Sequence, residues 1–317
     1  MLHRPLLALL IALLAAPLCA QPAPSYILDA DTGNEMDDLY AIARALAPDG
    51  LKILALQSAH FNNPQLLTDP NWHIYSTENI NTVAISQHLN EQLTIDCRQW
   101  MVPKLRGCDR MLGYAWGFYE GAPIPRSPAT QFLIDHARKA SPDDKLNIIC
   151  LGASTNVAAA LAQRPELAAN MRVYLLAAKY DSKSKTWNKN SFNVRNDLNA
   201  FDLLLDNEDL ELWIMPGNVA RQLTFSRSET AANLNSCASS PLCRRLGRRW
   251  GEVSAGKEWI MWDLALVQAL ITPELATYDR VRTPPENTKR KIYVYTQIDA
   301  PAMRTAFWDA LLSWQGN

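Results

Sequence analysis

The chain has 317 residues, 48% of them hydrophobic, with 31 basic and 32 acidic side chains. That is enough apolar material for one large α/β core, and the near-neutral balance excludes nucleic acid as a partner held by its phosphates. No CxxC pair or Cys/His spacing points to zinc, and no Gly- or Ser-rich linker, repeat or low-complexity segment divides the chain.

The first stretch reads as an export leader. His3 and Arg4 precede the apolar run Leu6 to Ala16, and Pro17 and small Ala20 lead into the polar QPAPS. The run is short of the roughly 20 residues that cross a bilayer. The expectation is a signal peptide over residues 1–23 and a single α/β domain over 24–317, periplasmic or secreted, without a stable membrane anchor. In an oxidising compartment Cys97 with Cys108 and Cys237 with Cys243 are near enough in sequence for two local disulfides. Cys150, inside the apolar LNIICLG, reads as a buried free thiol.

Tyr26 to Leu46, YILDADTGNEMDDLYAIARAL, begins as a buried strand, passes five acidic side chains from Asp29 to Asp38, and enters a helix with Leu39, Ile42, Ala43 and Leu46 on its apolar face. One acid suffices to charge a helix start. Five at one turn repel unless something positive sits among them, and a hard divalent cation with oxygen ligands is the simplest candidate.

LKILALQS (Leu51 to Ser58) predicts the second strand, ending in the polar turn AHFNNP. A helix is expected over Trp72 to Asn90, a long irregular excursion over Arg98 to Pro128, and a helix over Thr130 to Lys139. LNIICLGASTNVAAALAQRPEL (Leu146 to Leu167) predicts strand, turn and helix, with Gly152 permitting the turn and Ser154 or Thr155 as the cap. Further strands are expected at Met171 to Ala178 and Glu211 to Met215, with helices at Leu198 to Leu205 and from near Trp262. Arg221 to Gly256 reads as mostly helical, and its basic cluster CRRLGRRW (Cys243 to Trp250) as a solvated helix face. Strands alternating with helices imply an α/β fold, a mostly parallel open sheet with helices on both faces. The strand ends then share one edge, which collects Asp29, Asp31, Asp37, Asp38, Asn62, Asn63, the Leu151-Gly152 turn, Asn193, Asp197 and Asp263. One metal site inside a polar pocket is the economical reading.

Four blocks resemble, in order, those of the inosine-uridine-type nucleoside hydrolases. ILDADTGNEMDD resembles the amino-terminal DxDxGxDD signature and AHFNN the following strand-end turn. LGASTNVAAAL resembles the TGPLTN block, and SFNVRNDLNA with WDLALVQAL resemble the EFN and HDP blocks. The matches run from about residue 26 to 272. The resemblance implies a Ca²⁺-dependent hydrolase that cleaves the N-glycosidic bond of a ribonucleoside or related N-riboside, a small-molecule partner. A homo-oligomer is left open. Residue by residue, it makes Asp31, Asp38, Asp263 and the backbone carbonyl of Leu151 the calcium ligands. Asp37, Asn193 and Asn62, or alternatively Asn63, hold the sugar, and Asp31 is also the base toward attacking water. Asp29 is expected to brace the loop from behind and Glu35 to be solvated.

Three departures stand out. The turn between Asp31 and the Asp37-Asp38 pair is two residues longer than the signature. Ser191 stands where the family has Glu. Trp262 stands where it has the His tied to activating the leaving base, and an indole cannot shuttle a proton. Trp262 is read either as a stacking residue of the catalytic pocket or as a core residue at a helix start. Two other readings stay open: a catalytically altered calcium- and sugar-binding protein of the same fold, and a phosphatase of the haloacid-dehalogenase type, against which Gly33 stands where that family has Thr. His60, His73, His88 and His136 match no triad spacing. Arg195 and Asp197 either pair at the pocket rim or serve as helix caps.

Overall fold

The computed structural model describes residues 24–61, 79–253 and 256–315. The first unit is β1 (Ser25–Ala30), α1 (Asp37–Leu46) and β2 (Lys52–Ser58); α2 (Thr82–Asp96), β3 (Lys104–Leu105) and α3 (Pro128–Ala137) follow. Ser127 starts α3 by accepting the Thr130 N–H at 3.1 Å, with Pro128 in the first turn. The middle of the chain is β4 (Leu146–Cys150), α4 (Thr155–Gln163), β5 (Met171–Leu176), a hairpin of β6 (Lys179–Asp181) and β7 (Thr186–Asn188), α5 (Phe192–Asn196), α6 (Leu198–Asp206) and β8 (Glu211–Met215). The last part runs through α7 (Gly217–Ala220), β9 (Thr224–Ser226), α8 (Arg227–Ser236), α9 (Pro241–Glu252), β10 (Glu258–Ile260), α10 (Trp262–Ile271), β11 (Ala276–Arg282), β12 (Lys291–Ile298) and α11 (Ala300–Gln315).

Among the described residues the central sheet has eight strands in the order β11-β12-β8-β5-β4-β1-β2-β3. Every neighbouring pair is parallel except β11 with β12. The strands are apolar without alternation because both faces are covered. Leu28 and Ile149 pack on one side with Leu39 and Ile42 of α1, Leu246 and Trp250 of α9, Leu264 and Val267 of α10 and Phe307 of α11. Ile27, Ile148, Val173 and Ile214 pack on the other with Leu133 of α3, Val157 and Leu161 of α4 and Phe201 and Leu204 of α6. The expected α/β class and two-sided sheet are thus the observed ones. No helix among the described residues is long and apolar enough to cross a membrane.

Several expectations are corrected. Of the helix expected over Trp72 to Asn90, the part from Thr82 is α2, which runs on to Asp96; residues 62–78 are outside the described part, as are the expected leader and Asn62, Asn63 and His73. Ser154 precedes α4 without a side-chain capping bond, and the hydroxyl of Thr155, the other expected cap, donates to Asp197 at 2.7 Å. The polar stretch after β5 folds into the β6-β7 hairpin, and the antiparallel β11-β12 edge has no counterpart in the sequence reading. Cys97 and Cys108 are separate buried thiols: Cys97 ends α2 inside the core, while the Cys108 Sγ faces the Ser127 hydroxyl at 3.6 Å. Cys237 and Cys243 do form a disulfide, joining the end of α8 to the start of α9, and Cys150 is a free buried thiol.

Alkylation of unfolded, unreduced protein is expected to label Cys97, Cys108 and Cys150, and Cys237 and Cys243 only after reduction, as read by peptide mass spectrometry. Removing the short-loop disulfide by Cys237→Ser with Cys243→Ser should cost about 2 kcal/mol of stability in denaturant unfolding.

Candidate active site

Because β1, β4, β5 and β8 are parallel, the turns after them open on one edge of the sheet, and there they enclose a cavity of about 530 Å³. That volume suits a ligand of nucleoside size. Its wall includes Asp31, Asp37, Asp38, Leu151, Asn193, Trp262 and Asp263, so every described residue singled out above for the metal, the sugar or catalysis faces the same space.

The acids reach the cavity from three segments. Asp31 follows β1, Asp37 and Asp38 open α1, and Asp263 lies in the first turn of α10. Each helix start carries unpaired N–H groups and the positive end of its dipole, which favours carboxylates. Part of this is plain capping, since the Asp263 N–H donates to Asp37 Oδ2 at 3.0 Å. The remainder is not. Asp37, Asp38 and Asp263 each bring one oxygen within 4.8 Å of the others. Asp31 Oδ2, Asp38 Oδ1 and Asp263 Oδ1 are buried and have no hydrogen-bond donor. Buried carboxylate oxygens without donors are costly, and a cation among them relieves both the missing bonds and the repulsion. The donor set is all oxygen, as a hard cation requires.

Burial, then the neighbouring charges, pushes the Asp31 and Asp263 carboxyls well above the usual range. Asp38 is raised to about 8 by burial and the Asp37 charge, and Asp37 to about 6 by burial against its hydrogen bonds. Gly152 is needed here for space: a Cβ at that position would lie 2.9 Å from Asp31 Cβ, Cγ and Oδ1. Behind the site Asp29 Oδ1 accepts the Asn156 side-chain N–H at 2.9 Å, and Asn156 also donates to the Ser58 carbonyl at 3.2 Å, so Asp29 braces the turns. Burial raises Asp29 to about 7.

Asn193 donates from Nδ2 to the Leu151 and Leu176 carbonyls, the latter at 3.0 Å. The Leu151 oxygen expected to face a cation therefore already accepts one bond, and keeps its second lone pair. Ser191, in place of the family Glu, accepts the Ala178 N–H on its hydroxyl at 2.9 Å, while the Ala178 carbonyl accepts from Gly217 at 2.9 Å. These bonds hold Ala178 at a φ of 56°, a left-handed conformation costly for a residue with a Cβ. Trp262 is half-buried and, with Phe192 and Trp259, makes the aromatic part of the wall.

Glu35 is not solvated as expected. It is half-buried in the cavity wall, and burial, with the charges of Asp37 and Asp38, pushes it up to about 8 against the Trp259 indole. Trp259 and Lys179 are further wall residues that the sequence reading did not single out; Trp259 lies on the short strand β10, where alternation is too brief to read. His60 is structural: its Nε2 meets the Thr155 hydroxyl at 2.8 Å, and burial holds it near 4, uncharged. Asp197 caps α6 through the Ala200 N–H at 2.9 Å, so capping rather than pairing with Arg195 is its role.

The family model described as inosine-uridine preferring nucleoside hydrolase matches residues 26–305. The chain belongs to that family. Its members hydrolyse N-glycosyl compounds and depend on a metal ion. Among solved structures it is similar to the purine-preferring ribonucleoside hydrolase from Gardnerella vaginalis, with a TM-score of 0.65 and 18% identity over 92% of this chain and 99% of that one. An inosine-guanosine nucleoside hydrolase gives 0.61 and 20% over 91% and 98%, and the plant nucleoside hydrolase PpNRh1 gives 0.63 and 16% over 92% and 99%. A comparison with curated protein sequences found none that matches.

For nucleoside hydrolase carboxylates raised by burial, the sign of the pH dependence follows directly. Cation-free, their contribution to stability is fully present below the unfolded-chain value of about 4 and is lost as pH rises through the folded values of about 6 for Asp37 and about 8 for Asp38. A divalent cation that binds these carboxylates should therefore raise the thermal midpoint more at pH 8 than at pH 5, by differential scanning fluorimetry with and without EDTA.

Proposed function

We propose that the protein is an exported hydrolase of ribonucleosides or related N-ribosides that uses Ca²⁺. The observation that carries this is the convergence of three buried, donor-free carboxylate oxygens, from Asp31, Asp38 and Asp263, on one cavity of nucleoside size. Asp31, Asp38, Asp263 and the Leu151 carbonyl are the residues that would hold the cation, whose bound charge makes nearby water more acidic. Asp31 takes the proton from the attacking water. Asp37 and Asn193 orient the sugar hydroxyls, with Asn62 the expected third contact. Departure of the base leaves positive charge on the ribose ring, which the surrounding carboxylates favour. Phe192, Trp259 and Trp262 offer aromatic faces on which a base can stack. The Cys237–Cys243 disulfide fits an oxidising compartment, periplasmic or extracellular.

A second reading, a calcium- and sugar-binding protein that no longer turns over, is favoured by Trp262 in a cavity wall that holds no imidazole among the described residues. Release of free base from a nucleoside panel, with and without EDTA, separates the two. On the first reading turnover is abolished by EDTA and restored by Ca²⁺, and Asp31→Ala lowers kcat by about 10³-fold. Sugar binding by calorimetry with no turnover on any N-riboside while the cation is bound would sink it. Trp262→His would then be expected to raise activity.

A further inference from the structure

We propose that Arg249 is a positioning residue: its guanidinium ties down the lengthened acidic turn and thereby sets Asp37 and Asp38 in register for the cation. The inference rests on the cation-dependent reading above and concerns a residue outside the cavity wall. Arg249 lies on the last turn of α9, within the basic cluster, and is only 8% exposed. Its Nη2 donates to the carbonyls of Gly33 at 3.0 Å, Asn34 at 3.2 Å and Glu35 at 3.0 Å, and its Nε donates again to the Glu35 carbonyl at 3.2 Å. These three consecutive carbonyls belong to the stretch that carries the two extra residues. A guanidinium so buried is costly unless its donors are satisfied, and its ion pair, with Glu252 at 3.4 Å, is to a half-exposed partner on its own helix. The turn thus provides most of what stabilises the buried charge, and the charge fixes the turn.

α9 is itself anchored against the same unit. Trp250 donates to the Tyr40 hydroxyl at 2.9 Å, and Tyr40, on α1, donates to the Leu246 carbonyl at 3.3 Å. The disulfide from Cys237 to Cys243 pins the first turn of α9. Arg249 and Tyr40 therefore link α9 to the turn and to the helix that the turn feeds. The Arg249 charge also opposes the upward push on Asp38. Nη2 and Nε act together as two donor nitrogens held in one plane, both of them on the Glu35 carbonyl, a spacing that a lysine ammonium on a single flexible stem does not reproduce.

The test compares wild type with Arg249→Met, Arg249→Lys and, as control, the exposed neighbour Arg248→Ala. Three readouts are used: Ca²⁺ affinity by calorimetry, amide hydrogen exchange over residues 31–39 without cation, and thermal midpoint. Both Arg249 variants are expected to bind Ca²⁺ at least about 10-fold more weakly and to exchange faster across the turn, as small misplacements of site groups are costly. Arg248→Ala should change neither. Deleting Asn34 and Glu35 in the Arg249→Met background should recover affinity, which a merely structural role would not produce. Unchanged affinity and exchange in Arg249→Met, or full retention in Arg249→Lys, would overturn the proposal. If wild type binds no divalent cation, the cation reading fails, and exchange across the turn alone decides the positioning role.

Discussion

Carboxylates that face one another away from water repel strongly, and the acidic edge of this sheet is built around that repulsion. Asp37, Asp38 and Asp263 place oxygens within 4.8 Å of one another, with Asp31 in the same wall. Two helix starts and the Arg249 guanidinium lessen the cost without removing it, as the raised carboxyl pKa values show. A site with charge still uncompensated is prepared for a cation, and hence for family chemistry that needs one.

The scaffold exists to hold this arrangement still. α1 and α10 pack side by side on one face, so that both begin at the same edge of the sheet. Gly152 leaves room for Asp31, and Asn156 ties together the ends of β1 and β2 and the turn after β3 through Asp29, the Ser58 carbonyl and the Cys108 N–H, the last at 2.7 Å. Across the cavity, Ser191 and Gly217 hold Ala178 in a conformation it would not choose alone. Ser191, where the resembled block has Glu, thus has a structural use, whereas Trp262 brings an indole to the cavity wall.

Much of the fold was legible because its signals are local. β8 and the start of α10 fall where the apolar pattern put them, and the strand-turn-helix from Leu146 follows from one apolar run, a glycine and an alanine-rich helix. Short or edge elements were not. β11 is largely exposed and carries Thr277, Asp279, Arg280 and Arg282 among its residues, so nothing in its pattern demands burial. The disulfides illustrate the same limit: two cysteine pairs were each close in sequence, but only Cys237 and Cys243 flank a tight helix-to-helix corner, while Cys97 and Cys108 end in different surroundings.

The acids of the site, their order and their family were readable from the chain alone, because a strand end followed by a helix start is specified within a dozen residues. What tertiary structure decided is what compensates them. The cluster CRRLGRRW read as a solvated face, yet Arg249 turns inward to carbonyls as many as 216 positions away, and Glu35 turns from solvent into the cavity wall. Helical periodicity says which face of α9 is apolar. It does not say which backbone that face will meet, since burial of a charged group depends on donors and acceptors brought from elsewhere in the chain.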